Sequence, residues 1–534
     1  MKKIFAFCIT VLLALPLSAK PAQDTPPSAR RPRPKTVRVG ITIDPITVSP
    51  LATNNIMAYY LSCILFMPLV SETKEENFVY RLAESITTED NQIFTIRLKP
   101  QIRWTDGEPV TAEDVIFTMN AISNPRVGMH DPSGQRIILG TDEKGLFPPE
   151  ETGLRGLKKI DDLTFTVETK YPVRLNVFKV DIGTMVRAMP KHILENADPA
   201  ELINHPFFQK PEVTNGAFTF KEQIPLRKVT LHANDAYFLG RPNIDVLEFR
   251  ILSGDQIAEQ LLRGEIDMNY PGVGNIPIDD YDRVIRAPHL HTLRGAPGTV
   301  QVLFFNNQVL KDAEVRQAMD LAIDRDGILR DIFQGEAFMT KTPVSSHIEF
   351  WNAAAAQYRF DPEESKRLIA KSEWDLDKQL TFLVPTNDIT RERICLRIAE
   401  NFKAVGFNVA VEKARFSETI RRLENREYDL TIIGMPTNHF TALRNLSYYV
   451  DSKSGRTGYA DLKMDQLLNT LLTNVDDEIL QAAYYEIQHL LAEETPVSGI
   501  YSELVLRAAN KRLTFGTVRD FGTFRDLEQW DITD

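Results

Sequence analysis

Cysteine is scarce. The 534 residues contain three, and Cys8 lies in an N-terminal apolar run. The other two, Cys63 and Cys395, are too far apart for a zinc site or for the dense disulfide framework of a small extracellular domain, so both read as buried thiols. After the opening run no stretch reaches the ~18 apolar residues of a membrane-spanning helix. Positive charge is in deficit. Sixty-two Lys and Arg stand against 73 Asp and Glu, a formal net charge of −11, which argues against a surface that tracks nucleic-acid phosphates. With 43% hydrophobic and 25% charged residues, collagen, coiled coil and wholesale disorder are excluded. The length suits about two to four globular domains that fold without metals or disulfides.

The signatures of common chemistry are missing too. There is no Gly-x-x-x-x-Gly-Lys-Ser/Thr phosphate loop, no Gly-x-Gly-x-x-Gly after a strand, no Gly-x-Ser-x-Gly elbow and no His-Glu-x-x-His. Isolated candidates have plainer readings. Ser71-Glu72-Thr73-Lys74 matches Ser-x-x-Lys but lies in a polar turn without the partner motifs of penicillin-recognising enzymes. His289 and His291 share a face of a predicted strand, yet no third ligand is in view and they read as surface histidines. Asp267 reads as a solvated or capping acid after a helix. Trp104-Thr105-Asp106-Gly107 reads as a turn between strand and helix. Neither a catalytic residue nor a metal ligand or cofactor is expected.

What is present begins with a sorting signal: Lys2 and Lys3, the apolar run Ile4 to Leu15, then Pro16 and the small pair Ser18-Ala19. Cleavage after Ala19 is expected. Phe7 before Cys8 does not fit a lipid-attachment box, so no lipid anchor is expected. Residues 20–36 are Pro-rich without apolar periodicity, as in an extended linker. From Val37 to about Leu252 strands dominate: Phe94, Ile96 and Leu98 alternate with polar residues, as do Leu163, Phe165 and Val167, and Leu247, Phe249 and Ile251. Thr111 and Asp114 form a capping box ahead of the helical face Val115, Ile116, Met119 and Ile122.

The section from 296 to 499 is more helical. It opens on an apolar strand, Val300 to Phe305, and a helix with the face Val315, Met319, Ala322 and Ile323. Asp361-Pro362-Glu363-Glu364 starts another helix. Gln379 to Val384 then reads as a strand, Ile394 to Val405 as a helix ending at Gly406, Asn408 to Val411 as a strand, Glu418 to Leu423 as a helix and Asp429 to Ile433 as a strand. Such a β-α-β-α-β unit implies right-handed crossovers and a parallel sheet, with ligands beyond the carboxyl ends of the strands. The loops Pro385 to Asp388, Lys413 to Phe416 and Gly434 to Thr441 should line one crevice. A helix at Glu478 to Ala492 and a strand from Val497 to Leu506 close the pattern; that strand could return to the first half.

These segments resemble a known family. Residues 83 to 122, with Phe-Thr-Ile-Arg-Leu-Lys and Ile-Arg-Trp-Thr-Asp-Gly-Glu-Pro-Val-Thr-Ala-Glu-Asp-Val, are similar to the signature of family 5 of the bacterial extracellular solute-binding proteins, the periplasmic oligopeptide and dipeptide binders. Asn215-Gly216-Ala217-Phe218, Asn234 to Pro242, Gly264-Glu265-Ile266-Asp267, Val315 to Arg325 and Tyr358 to Pro362 follow in the family's order, covering about residues 37 to 515. The resemblance implies an α/β fold of two lobes joined by a two-stranded hinge. Lobe I would comprise 37–57, 200–295 and 500–534 with an inserted subdomain at 58–199, and lobe II 296–499.

By the same resemblance the chain is a monomeric periplasmic receptor for an oligopeptide or similar small solute, which it passes to a membrane ABC permease. The ligand would meet residues around Ile43 to Ala52 with Asn215, Gly216 and Phe218 of lobe I. From lobe II it would meet Asn387, Arg415, Gly434, Met435, Asn438 and His439. The family's peptide binders place an aspartate, paired with the ligand's α-ammonium group, where Asn438 stands, and asparagine cannot replace that charge-assisted bond fully. Met435 stands where they often have tryptophan. A nickel-chelate receptor, to which His439 is suited, or a sugar receptor is the alternative. A hydrolase or a chaperone-like protein on the same fold is a more distant one.

Overall fold

The computed structural model describes residues 34–51, 55–73, 77–129, 132–270, 272–295, 299–355, 357–386, 388–436, 439–453, 455–514, 524 and 527–533. The expected sorting signal and all but the last three residues of the expected linker, 34–36, lie outside them. β1 (Thr36–Ile41) starts at the linker's final residue, and its Val37, Val39 and Ile41 are fully buried.

A small antiparallel pair follows, β2 (Val70–Glu72) and β3 (Phe78–Tyr80). Next come β4 (Ala83–Thr87), β5 (Ile93–Leu98), β6 (Leu157–Lys159) and β7 (Thr164–Glu168), an antiparallel sheet in the order β4-β5-β7-β6. The alternation read from sequence sends Phe94, Ile96, Leu98, Phe165 and Val167 inward. Thr111 and Asp114 form the expected capping box of the helix Ala112–Ser123, and Gly107, at φ +97°, closes the turn after Trp104. Asp106 therefore belongs to a turn. The chance Ser-x-x-Lys match starts in β2 and its Lys74 lies outside the described residues.

The rest of the first half builds β8 (Phe218–Ile224), β9 (Lys228–Ala233), β10 (Val246–Ile251), β11 (Met268–Asn269) and β12 (Leu290–Arg294). The second half adds β13 (Thr299–Phe305), β14 (Ala337–Met339), β15 (Leu380–Pro385), β16 (Val409–Ala414), β17 (Leu430–Pro436), β18 (Val497–Glu503) and β19 (Leu506–Asn510). Among the described residues these make two large mixed sheets. The first runs β12-β19-β11-β1-β10-β9-β8, with β1 parallel to both its neighbours. The second runs β14-β18-β13-β17-β15-β16, with β15 parallel to β16 and β17. The predicted β-α-β-α-β unit is thus present. Its first helix, Ile389–Ala404, buries Ile394, Ile398 and Phe402 and stops at Gly406, whose φ of +111° an L side chain would strain.

One expected strand is two. Val497 to Leu506 breaks at Leu504 and Val505, so β18 pairs with β13 and β14 in the second sheet while β19 enters the first between β11 and β12. The expected division at 499/500 therefore falls inside β18. The chain crosses between the sheets twice at one place, after Arg294 and after Glu503, where β12 lies beside β19 and β13 beside β18. This double crossing is a hinge between two lobes. It is pinned on the first-lobe side by Asn269, fully engaged: its amide donates to Gly274 and Leu506 carbonyls at 2.9 and 3.0 Å and its oxygen accepts Ala508 N–H at 2.8 Å.

Asp267 is likewise buried, not solvated. Its carboxylate accepts the Arg38 N–H of β1 at 2.9 Å and the Arg512 guanidinium beyond β19 at 2.7 Å, joining the start and end of the chain. In the second lobe a larger charged group is enclosed. Arg325 donates to Asp320 at 2.6 Å, Ser498 of β18 donates to the same oxygen at 2.6 Å, and Lys341 stands 3.7 Å away. Burial pushes the Asp320 carboxyl up, but Arg325, Lys341 and the Ser498 hydroxyl outweigh it and hold it below the usual carboxylate range. The charges compensate one another, which keeps this buried group tolerable.

Candidate functional site

Both large sheets contain parallel strands, and the carboxyl ends of such strands are where open α/β sheets bind ligands. In the first lobe β1 ends at Ile41, and Thr42 is fixed to Val273 through its N–H and hydroxyl, at 2.5 and 2.9 Å. In the second, β15, β16 and β17 end together. Contacts remote from the hinge bring the two lobes face to face. Phe78 of β3 stacks on Phe440, which follows β17, with centroids 6.0 Å apart. Arg174 holds Glu349 through two bonds of 2.7 and 2.8 Å and reaches Asp477 at 3.2 Å. The bonds to Glu349 outweigh burial and raise the Arg174 guanidinium further above its ordinary value. A fork-to-fork pair of this kind is both strong and directional, so the structure is that of lobes closed on one another.

The residues expected at the ligand divide into groups. Asn387 and Asn438 lie outside the described residues. Asn215, Gly216 and Phe218 face inward, where they form a seam under the helix Ile56–Leu65. Asn215 Oδ1 accepts Met67 N–H at 2.7 Å, both Asn215 and Gly216 donate N–H to Leu65, and Phe218 is fully buried. A Cβ on Gly216 would stand 1.9 Å from the Ile64 carbonyl oxygen, which is why glycine is needed there. Met435 is 4% exposed and packs in the second-lobe core. It faces that core because alternation along β17 sends Thr431, Ile433 and Met435 to the same side. In this structure these four face inward, and the Asn215 Nδ2 is buried without a hydrogen-bond partner among the described residues.

Arg415, Gly434 and His439 remain at the strand ends. Arg415 is exposed before the helix Phe416–Glu424. Gly434 pairs with Gln301 of β13, and a Cβ there would press to 2.9–3.0 Å on Thr299 and Gln301. His439 Nδ1 donates to the His347 carbonyl at 2.6 Å and its own carbonyl accepts Glu349 N–H. Among the described residues no group of three or more His, Cys, Asp and Glu could hold a metal ion. His289 bonds the Leu261 carbonyl and His291 is exposed, as surface histidines would be. Cys395 is buried, its thiol pushed up by burial, whereas Cys63 is only half-buried.

Several polar groups here were not anticipated. Arg391, 7% exposed, donates to Gln301 Oε1 at 3.1 Å and stands 3.8 Å from Asp388, the N-cap of its own helix. Glu503, at the hinge end of β18, is pushed up to about 7 by burial and then by the neighbouring Asp388 charge. Arg187 is buried and donates to the Pro50 carbonyl at 2.7 Å, and its guanidinium lies 4.8 Å from the Tyr59 ring centre. Periodicity cannot find such residues, because a lone charge in an apolar pattern looks like a surface position until the fold encloses it.

Two lobes that close over strand ends, joined by a double crossing, define a solute receptor of the periplasmic binding protein type. The chain belongs to the bacterial extracellular solute-binding proteins, family 5, whose middle-region profile matches residues 77–457. It is similar to the oligopeptide-binding protein AppA of Bacillus subtilis, 24% identical over 87% of this chain and 85% of that one. The periplasmic oligopeptide-binding protein OppA of Salmonella typhimurium is 25% identical over 93% and 92%. Among solved structures, Bacillus subtilis AppA in complex with a nonapeptide superposes with a TM-score of 0.80 at 21% identity, over 94% of this chain and all of that one. Campylobacter jejuni NikZ in complex with Ni(L-His) reaches 0.76 at 18% identity, over 93% and 99%.

Proposed function

We propose that this chain is the substrate-binding component of an ABC importer, which takes an oligopeptide or peptide-like solute into the cleft between its lobes and delivers it to a membrane permease. It works as a periplasmic monomer and returns its ligand unchanged. The observation that carries this reading is the closed cleft itself, with the Arg174–Glu349 pair and the Phe78–Phe440 stack at the rim opposite a hinge of two crossings. Closure of this kind encloses a solute and presents a distinct surface to a partner. The peptide-binding relatives support the ligand class. Arg415, Gly434 and His439 are the second-lobe residues best placed to touch it, with Asn387 and Asn438 assigned from sequence alone.

Calorimetry against peptides up to nonapeptide length, with chromatography of the recovered ligand, tests the reading. Saturable binding with one site per chain and intact peptide is expected. Failure to bind any peptide, or recovery of cleaved peptide, would overturn it.

A further inference from the structure

The hinge end of β18 gathers polar side chains whose hydrogen-bonding capacity is only partly used among the described residues. Glu503 is half-buried there, and among the described residues its carboxylate makes no hydrogen bond or ion pair. Asp388 turns one oxygen to the Arg391 N–H at 2.9 Å, and among the described residues its other meets the Arg391 guanidinium alone, at 3.8 Å. Arg391 itself leans toward Gln301. Tyr501, two residues before Glu503 and so on the same strand face, is 0% exposed, yet among the described residues its hydroxyl has no hydrogen-bond partner. Besides burial, the groups whose charge acts on this hydroxyl are Glu503, Asp388, Arg391 and Cys395. A buried phenol without a partner beside two acids is costly unless something absent completes it.

We propose that Glu503, Asp388 and the Tyr501 hydroxyl form a subsite at the floor of the cleft for a primary ammonium group of the trapped solute. An ammonium has three N–H donors and no acceptor, and this corner offers three acceptors and an excess of one negative charge over Arg391. The subsite supplies the anionic partner that Asn438 cannot, from the hinge side of the cleft. It rests on the receptor reading above and names the chemistry of one end of the solute. Because burial lifts Glu503 to about 7, an incoming cation would expel its proton, and binding should weaken as the solution is acidified. The titratable and charged groups around Glu503 are Asp388 and Arg391 from the helix side, with Cys395 of that helix acting on Tyr501, then Tyr501 on its own strand and Tyr281 across the crossing. Nearby Arg294 and Glu336 are paired with each other.

Calorimetry on the full chain with trialanine and N-acetyl-trialanine, using wild type, Glu503→Gln and Tyr501→Phe, tests the subsite. At pH 8, Glu503→Gln should weaken trialanine by about tenfold or more and leave the acetylated peptide unchanged, with a smaller loss for Tyr501→Phe. Wild-type affinity should fall from pH 8 to pH 6, with a buffer-dependent enthalpy reporting proton release, and Glu503→Gln should flatten both. Equal losses for the two peptides, or none, would overturn the proposal. If wild type binds neither peptide, the receptor reading falls, and thermal stabilisation by n-butylammonium against n-butanol decides the subsite. A response in wild type that Glu503→Gln abolishes supports it, and an identical response in both overturns it.

Discussion

The two ends of β18 treat charge in opposite ways. At Ser498 the strand meets a closed group in which Asp320, Arg325, Lys341 and the Ser498 hydroxyl answer one another, and the Asp320 carboxyl is held low. Five residues on, Glu503 has no partner among the described residues and its carboxyl is pushed up. Burial acts on both. The difference lies in whether neighbours complete the charge, and that separates a group that holds the second lobe together from one held ready for something else.

The comparison can be broken most severely at its first end. Replacing Asp320 with Ala strands a buried guanidinium and should cost about 3–5 kcal/mol, read as a lower urea midpoint at unchanged slope. At the other end the sign reverses. Glu503→Gln should stabilise the protein at pH 8 by up to about 3 kcal/mol. The folded-state value lies above that of the unfolded chain, so the ionised wild type is penalised above about pH 7. The gain should fade as pH falls toward 4.5, and a gain independent of pH would refute the assignment. Arg174→Gln leaves both ends of β18 intact while releasing the rim. It should cost closure about 1.5–3 kcal/mol and raise the radius of gyration of the unliganded protein in small-angle scattering. The smallest effect is expected at Asn55, whose side chain accepts the Met57 and Ala58 N–H groups at the start of its helix. Asn55→Ala should cost about 1 kcal/mol without altering the pH profile.

Much of the architecture was legible in advance because it rests on periodic burial. The β-α-β-α-β unit, the Thr111 capping box and the stop at Gly406 each follow from local pattern and backbone chemistry. The break at Leu504 and Val505 was not legible, since one apolar run serves two sheets and nothing in its residues marks the change of partner. The candidate site was less legible. Asn215, Gly216, Phe218 and Met435 stand in segments beside a cleft, but alternation and close backbone approach turn them inward. Arg174, Glu349 and Glu503 matter through partners distant in sequence, which spacing cannot reveal.

The place of β19 also governs the order of folding. β1 precedes the whole second lobe in sequence, yet the sheet it belongs to cannot close until residues 506–510 slot between β11 and β12. The whole second lobe is synthesised in between. A nascent chain therefore carries an open sheet edge almost to its end, and non-local pairing of this kind is slow to form. The first sheet is complete only once β19 has taken its place between β11 and β12.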